Sequence, residues 1–63
     1  MKSKFLSIKA NGCGLLVNID TIRYVERNPN DWDNSIWVWT DWANQGYVVV
    51  DENIDVFKRK LGL

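Results

Sequence analysis

The sequence predicts an α+β protein that is mostly β, with about five short antiparallel strands in a curled sheet or small barrel and one C-terminal helix. Short runs of alternating or β-branched residues are separated by turn residues, and a helical apolar stripe occurs only near the C-terminus. The 63 residues are enough for a single small domain, residues 1–63.

The first two strands are predicted to form a hairpin. Apolar and polar residues alternate from Lys4 to Lys9, and Leu15 to Asn18 has the composition of a return strand. Asn11-Gly12 lies between the two runs, and this dipeptide is a strong signal for a tight hairpin turn. We therefore place a turn from Asn11 to Gly14.

Three further strands are predicted after a single turn that Asn18 or Asp20 opens through its side chain. Their ranges are 23–27, 35–40 and 47–50, and each is rich in β-branched or aromatic residues. The loop between the first two contains Asn28-Pro29, and the loop before the last ends at Gly46.

A short helix is predicted to end the chain. Asn53 is suited to cap its first turn, and Ile54, Phe57 and Leu61 follow at helical spacing. Gly62 is a typical residue just beyond a helix C-terminus.

Alternation gives the predicted sheet two apolar faces. The face toward the helix receives Leu6, Ile8, Leu15, Val17, Val25, Ile36, Val38, Val48 and Val50, and the opposite face receives Phe5, Leu16, Tyr24, Trp37, Trp39, Tyr47 and Val49. A solvated face of an antiparallel sheet is normally polar. Either a second subunit or a ligand covers the aromatic face, or a one-residue shift of register or barrel closure turns Trp37 and Trp39 into the core.

Four tryptophans lie between Trp32 and Trp42, and the two outermost are predicted to lie in loops beside aspartates. Each is interpreted either as a lid over one end of the core or as half of a paired aromatic clamp at the mouth of a groove. The predicted contact residues are therefore Trp37, Trp39, Tyr24 and Tyr47, with Trp32 and Trp42 at the edge of the contact.

Charge is unevenly distributed although the formal net charge is zero. Residues 28–55 contain six acidic and no basic side chains, whereas basic residues lie toward the two ends as Lys2, Lys4, Lys9, Lys58, Arg59 and Lys60. Nucleic acid is therefore not an expected partner, because stacking on Trp must be combined with positive charge to hold phosphate. A protein partner with a basic surface fits the acidic segment better.

Enzymatic activity is not expected, and neither a cofactor nor a metal ion is predicted. The chain has no His, and its lone Cys13 has no basic partner beyond the nearby Lys9 to activate the thiol. No apolar run is long enough to cross a membrane, and residues 1–11 lack the apolar core of a signal peptide. A cytoplasmic location is therefore predicted.

From Leu15 onward the chain resembles the FlbD-type small flagellar proteins and their unassigned relatives. The resemblance rests on residues 17–22, on Val25-Glu26, on residues 46–52 and on Val56 and Leu61 of the helix. It implies a compact β-rich fold with a C-terminal helix and no enzymatic activity. It implies no flagellar role, because the tryptophan run has no counterpart in that family and the turn from Asp41 to Gly46 is longer.

The predicted function is that of a non-enzymatic interaction or adaptor module, bacterial or phage, which forms a homo-oligomer through its aromatic sheet face. The alternative is a ligand-binding module in which Trp stacks on a sugar, a peptide or a nucleic-acid base. A phage-encoded inhibitor that docks on a host protein is a further alternative.

Overall fold

The computed structural model describes residues 4–63, so Lys2 of the predicted basic set lies outside the described residues. Within these residues, five strands and one helix follow one another, as the sequence predicts. They are β1 (Phe5–Ala10), β2 (Cys13–Asn18), β3 (Ile22–Arg27), β4 (Ile36–Thr40), β5 (Tyr47–Val50) and α1 (Ile54–Lys60). A single 3₁₀ turn, Ile19–Thr21, joins β2 to β3.

The strands form one antiparallel sheet in the order β2-β1-β5-β4-β3. Its two edge strands, β2 and β3, are consecutive in the chain and are separated by only three residues. The edges must therefore meet at the Asn18–Ile22 end, and the sheet curls without closing into a barrel. Of the two predicted forms, the curled sheet is correct.

The hairpin between β1 and β2 is tighter than predicted. Asn11 and Gly12 have positive φ angles of 53° and 77°, the pattern of a type I′ turn. Because that turn needs only two central residues, pairing continues to Ala10 and Cys13. The expected turn from Asn11 to Gly14 is thus shorter, and β2 begins at Cys13 instead of Leu15.

A β-bulge in β3 sets the faces of the following residues. The register with β4 shifts between Ile22, which lies opposite Thr40, and Tyr24, which lies opposite Trp39. One extra residue, Arg23, therefore separates two side chains that point to opposite faces of the sheet. The bulge lets Ile22 pack against the core while Tyr24 remains on the other face.

The core lies between one face of the sheet and the helix. Its buried members are Leu6, Ile8, Val17, Ile36, Val38, Val50 and Phe57, with Val25 and Val48 packed against them. Burial alternates along β4, with Ile36, Val38 and Thr40 buried and the two Trp between them half-buried. The predicted register is confirmed, and the alternative that places Trp37 and Trp39 in the core is wrong.

Leu15 departs from the predicted burial. It lies opposite the buried Ile8, so it points to the core face as expected, yet 37% of its surface is exposed. The reason is that β2 is an edge strand, so no neighbouring strand covers its outer side.

β1 and β5 meet only at a corner, so most of the edge of β1 that faces away from β2 is not paired with β5. A single register pair, Ala10 with Val50, joins these strands, and the N–H of Asp51 donates to the carbonyl of Lys9 over 2.9 Å. Further along β1, Lys60 of α1 donates to the carbonyl of Ser7 over 3.2 Å. The Lys60 side chain therefore bonds a β1 carbonyl that β5 does not reach.

The predicted caps of α1 are present. The side chain of Asn53 accepts a bond from the N–H of Asp55 over 2.8 Å, and Gly62 has a φ angle of 82°. Asn53 also donates to the carbonyl of Asp33 over 2.7 Å. The helix N-terminus is thereby joined to the loop between β3 and β4.

Candidate interaction surface

Four aromatic rings form a continuous row on the sheet face opposite the core, which we term the aromatic row: Tyr24, Trp37, Trp39 and Tyr47. Tyr24 stacks on Trp39 with ring centres 5.3 Å apart, and Trp37 stacks on Tyr47 at 4.4 Å. Trp39 and Tyr47 meet at 4.9 Å in a tilted arrangement. The sheet thus brings together the four residues predicted as the centre of the contact.

The register explains the order of the rings. Tyr24 on β3, Trp39 on β4 and Tyr47 on β5 lie directly opposite one another across adjacent strands. Trp37 is two residues before Trp39 and reaches Tyr47 diagonally. Aromatic side chains span both the direct and the diagonal distance between strands.

Trp39 is the centre of the row. Its rings contact those of Tyr24 and Tyr47, and its indole N–H donates to Oε2 of Glu26 over 2.6 Å. The backbone of Gly46 passes close beneath: a Cβ at this position would lie 3.1 Å from the Trp39 ring. Glu26 and Gly46 were not predicted as part of the site, although alternation from Tyr24 already places Glu26 on the aromatic face.

Exposure differs within the row. Tyr24, on the edge strand β3, is 54% exposed, whereas Trp37, Trp39 and Tyr47 are half-buried because the rings cover one another. Phe5 and Leu16 extend the same apolar face onto β1 and β2, and both are exposed. Tyr24 is therefore the most exposed ring of the row.

Trp32 and Trp42 lie at opposite ends of β4. The Arg27 guanidinium, at the end of β3 that pairs with Ile36, lies 5.4 Å from the Trp32 ring centre. The indole of Trp42 donates over 2.9 Å to the hydroxyl of Thr21, which precedes the other end of β3. The five residues of β4 separate the two rings, so the predicted paired clamp is wrong.

Neither loop tryptophan forms a closed lid. Trp32 is 60% exposed and Trp42 is 46% exposed, and neither joins the buried core. Trp42 lies nearer to the aromatic row than its sequence position alone indicates, because Trp42 and Tyr47 line the same surface depression.

Folding neutralises part of the acidic segment. Asp41 pairs with Arg23 at 2.8 Å, and Glu52 pairs with Lys60 at 2.8 Å. Both partners come from outside the acidic stretch. Outside that stretch, Lys4, which immediately precedes β1, pairs with Asp20 at 3.3 Å. The surface around the aromatic row is therefore less acidic than the sequence suggests.

Within residues 4–63, no group of three or more Cys, Asp and Glu side chains lies close enough to hold a metal ion, and Cys13 is free and exposed. No helix in the same range is both long and apolar enough to cross a membrane. Comparison with protein-family models, with curated proteins and with solved structures finds no match for this chain.

Proposed function

We propose that this chain is a non-enzymatic protein–protein interaction module that self-associates through the aromatic row, in the cytoplasm of a bacterium or of a phage-infected cell. The observation that carries the proposal is the row itself, four rings in contact across β3, β4 and β5 on the face away from the core. Tyr and Trp are the residues that most often dominate contact energies between proteins.

Charge supports a second copy of the chain as the partner. The one carboxylate within the row, that of Glu26, already accepts a bond from Trp39. Beside the row, Arg23 and Asp41 neutralise each other. Two copies related by a two-fold axis place the same patch against itself, and like-charge repulsion is then limited to the carboxylate of Glu26, which is bonded to the uncharged Trp39 indole. A basic partner protein would find fewer free carboxylates here than the sequence indicates.

The size of the row supports reversible association. Three strands of about five residues cover roughly 14 by 17 Å, a projected area of about 240 Å². A stable interface usually buries about 800 Å² of accessible surface on each partner. We therefore expect a dimer that dissociates on dilution, with the row as its centre.

The test compares Tyr24→Lys with Val56→Lys. Tyr24 is 54% exposed in the row, and Val56 is 43% exposed on the helix. Placing a charge within a two-fold interface should cost about 2 kcal/mol of association, about a thirtyfold rise in Kd, whereas Val56→Lys should leave Kd unchanged. Light scattering over roughly a hundredfold dilution measures the dimer, whose melting temperature should also depend on concentration.

The fold should survive the change at Tyr24, because one ring contact is worth about 0.5–1.5 kcal/mol. Urea denaturation of the Tyr24→Lys protein checks this separately from assembly. A wild-type protein that stays monomeric at its highest concentration contradicts the proposal, and so does an equal loss of dimer in the two variants.

A second candidate function is sugar binding by stacking. It is favoured by the depression of about 470 Å³ that combines the rings of Trp42 and Tyr47 with the amides of Asn44 and Gln45. Titration with a panel of soluble oligosaccharides should then give a saturable change in Trp fluorescence that salt barely alters. The change should be lost in Tyr47→Ser, and a flat titration with every sugar contradicts this function.

A further inference from the structure

A second apolar surface lies along the outer edge of β2. It is a groove of about 330 Å³ lined by Phe5, Leu15, Leu16, Val17, Asn18, Thr21 and Trp42. Successive residues of a strand point to opposite faces, so a groove that contacts all of residues 15–18 must run along an edge. β1 occupies the other edge of β2, which places the groove on the outer side.

Backbone groups of Leu16, which lines the groove, and of Gly14, which lies just beyond its end, point away from β1 along this edge. In a two-residue hairpin the pair nearest the turn, Ala10 with Cys13, exchanges hydrogen bonds, and alternate pairs follow it. Gly14, Leu16 and Asn18 therefore direct their N–H and C=O groups away from β1.

Contacts at three carbonyls agree with this assignment. Ser7 and Lys9 of β1, which lie opposite Leu16 and Gly14, direct their carbonyls away from β2 to Lys60 and Asp51. The carbonyl of Asn18 accepts a bond from the Thr21 hydroxyl over 2.7 Å. Within residues 4–63, no such partner is found for the outward groups of Gly14 and Leu16.

The two edges of the sheet differ in their protection against pairing. β3 carries Arg23, Glu26 and Arg27 and contains the bulge after Ile22. Charged side chains and bulges are the usual devices that prevent addition of a strand. β2 has neither a charged residue nor a proline, and its register with β1 is uninterrupted. β2 is therefore the edge that accepts a further strand.

The far wall of the groove limits what can enter. Thr21 accepts a bond from the Trp42 indole over 2.9 Å while it donates to Asn18, so the wall is joined to the end of β2. The groove is thus bounded on its outer side. In a folded second copy β2 is paired with β1, so a single extended segment fits the groove better than a second copy does. A volume near the lower end of ligand pockets, about 300–1,000 Å³, suits a few side chains of a strand.

We propose that an extended, uncharged segment of a partner protein adds to β2 as a sixth strand and pairs with the backbone of Gly14 and Leu16. The segment is uncharged because none of the described residues that line the groove is charged, and the nearby Lys4 and Asp20 already pair with each other. A charged side chain in the groove would lose hydration without gaining a partner. Strand addition derives affinity from main-chain bonds and selectivity from alternate side chains.

Amide hydrogen exchange tests the proposal, with a capped peptide of alternating threonine and valine as the probe. At a peptide concentration about ten times Kd, exchange at Gly14 and Leu16 should slow about tenfold. Leu15 and Val17 already bond to β1, so their exchange is slow without peptide and reports only on opening of the hairpin. The same peptide with proline at its centre should have no effect. Unchanged exchange at Gly14 and Leu16 at millimolar peptide would overturn the proposal.

Variants separate this site from the aromatic row. Leu16→Pro removes an outward N–H without removing a bond to β1, and it should weaken peptide binding at least about tenfold. Leu16→Lys, with Leu63→Lys as its exposed control, repeats the test if the proline variant does not fold. Tyr24→Lys should bind the peptide normally, whatever its effect on self-association. Protection of Gly14 and Leu16 that rises with protein concentration alone would identify a second copy as the occupant and overturn the proposal.

Discussion

The hydrogen bond between Trp39 and Glu26 should be measurable as a coupling energy of about 1.5 kcal/mol. Bonds to charged groups contribute about 1.5–3 kcal/mol, and the half-buried Glu26 favours the lower end because water replaces part of the lost bond. Trp39→Phe removes the indole N–H but keeps a ring between Tyr24 and Tyr47, and Glu26→Ala removes the acceptor.

The two single variants and the double variant form a cycle in which packing losses cancel. Urea denaturation followed by circular dichroism gives the free energy of unfolding of each protein. For a domain of this size, about 1.5 kcal/mol corresponds to roughly 6–12 °C in melting temperature. Single effects that add to within about 0.3–0.5 kcal/mol would refute the reasoning, because they would mean that the two side chains act independently.

Two further substitutions test the packing that supports the aromatic row and the core. Gly46→Ala should lower the free energy of unfolding, measured by urea denaturation, by about 1–2 kcal/mol, because φ is 94° and the new Cβ would lie 3.1 Å from the Trp39 ring. The Cβ of Gly14→Ala would meet no atom within 4 Å, so this control should not be destabilised. Phe57→Ala removes the one fully buried side chain of α1 and should lower the free energy of unfolding by about 3–5 kcal/mol, enough to leave little folded signal in circular dichroism. Val56 is exposed, so Val56→Ala should change the free energy of unfolding by no more than about 0.5 kcal/mol. A folded, cooperative Phe57→Ala protein, or equal effects at the two glycines, would contradict these assignments.

The faces of the sheet could be predicted because alternation depends on the strand alone. Ile36 and Val38 point to the core, and Trp37 and Trp39 point away, as the period of two requires. The hairpin turn and the helix cap were predictable for the same reason, since Asn11-Gly12 and Asn53 act on their own backbone neighbours. Local rules therefore account for most of the fold.

Features that depend on distant residues could not be predicted in this way. The bulge after Ile22 becomes visible only against β4, and the exposure of Leu15 follows from the edge position of β2. To predict that Trp32 and Trp42 lie apart, one must know the partner of each ring, Arg27 for Trp32 and Thr21 for Trp42. Strand order decides all three, and alternation carries no information about strand order.

The corner contact between β1 and β5 divides the sheet into two parts that differ in how they form. The meander of β3, β4 and β5 pairs neighbours in the chain, so each pairing closes only a short loop. The contact of Ala10 with Val50 must close most of the chain, which costs more conformational entropy and slows folding. The β1–β2 hairpin also pairs neighbours in the chain, so docking of the hairpin onto the meander is the step that should come last. In the folded protein the same seam is where the hairpin would open first, without global unfolding.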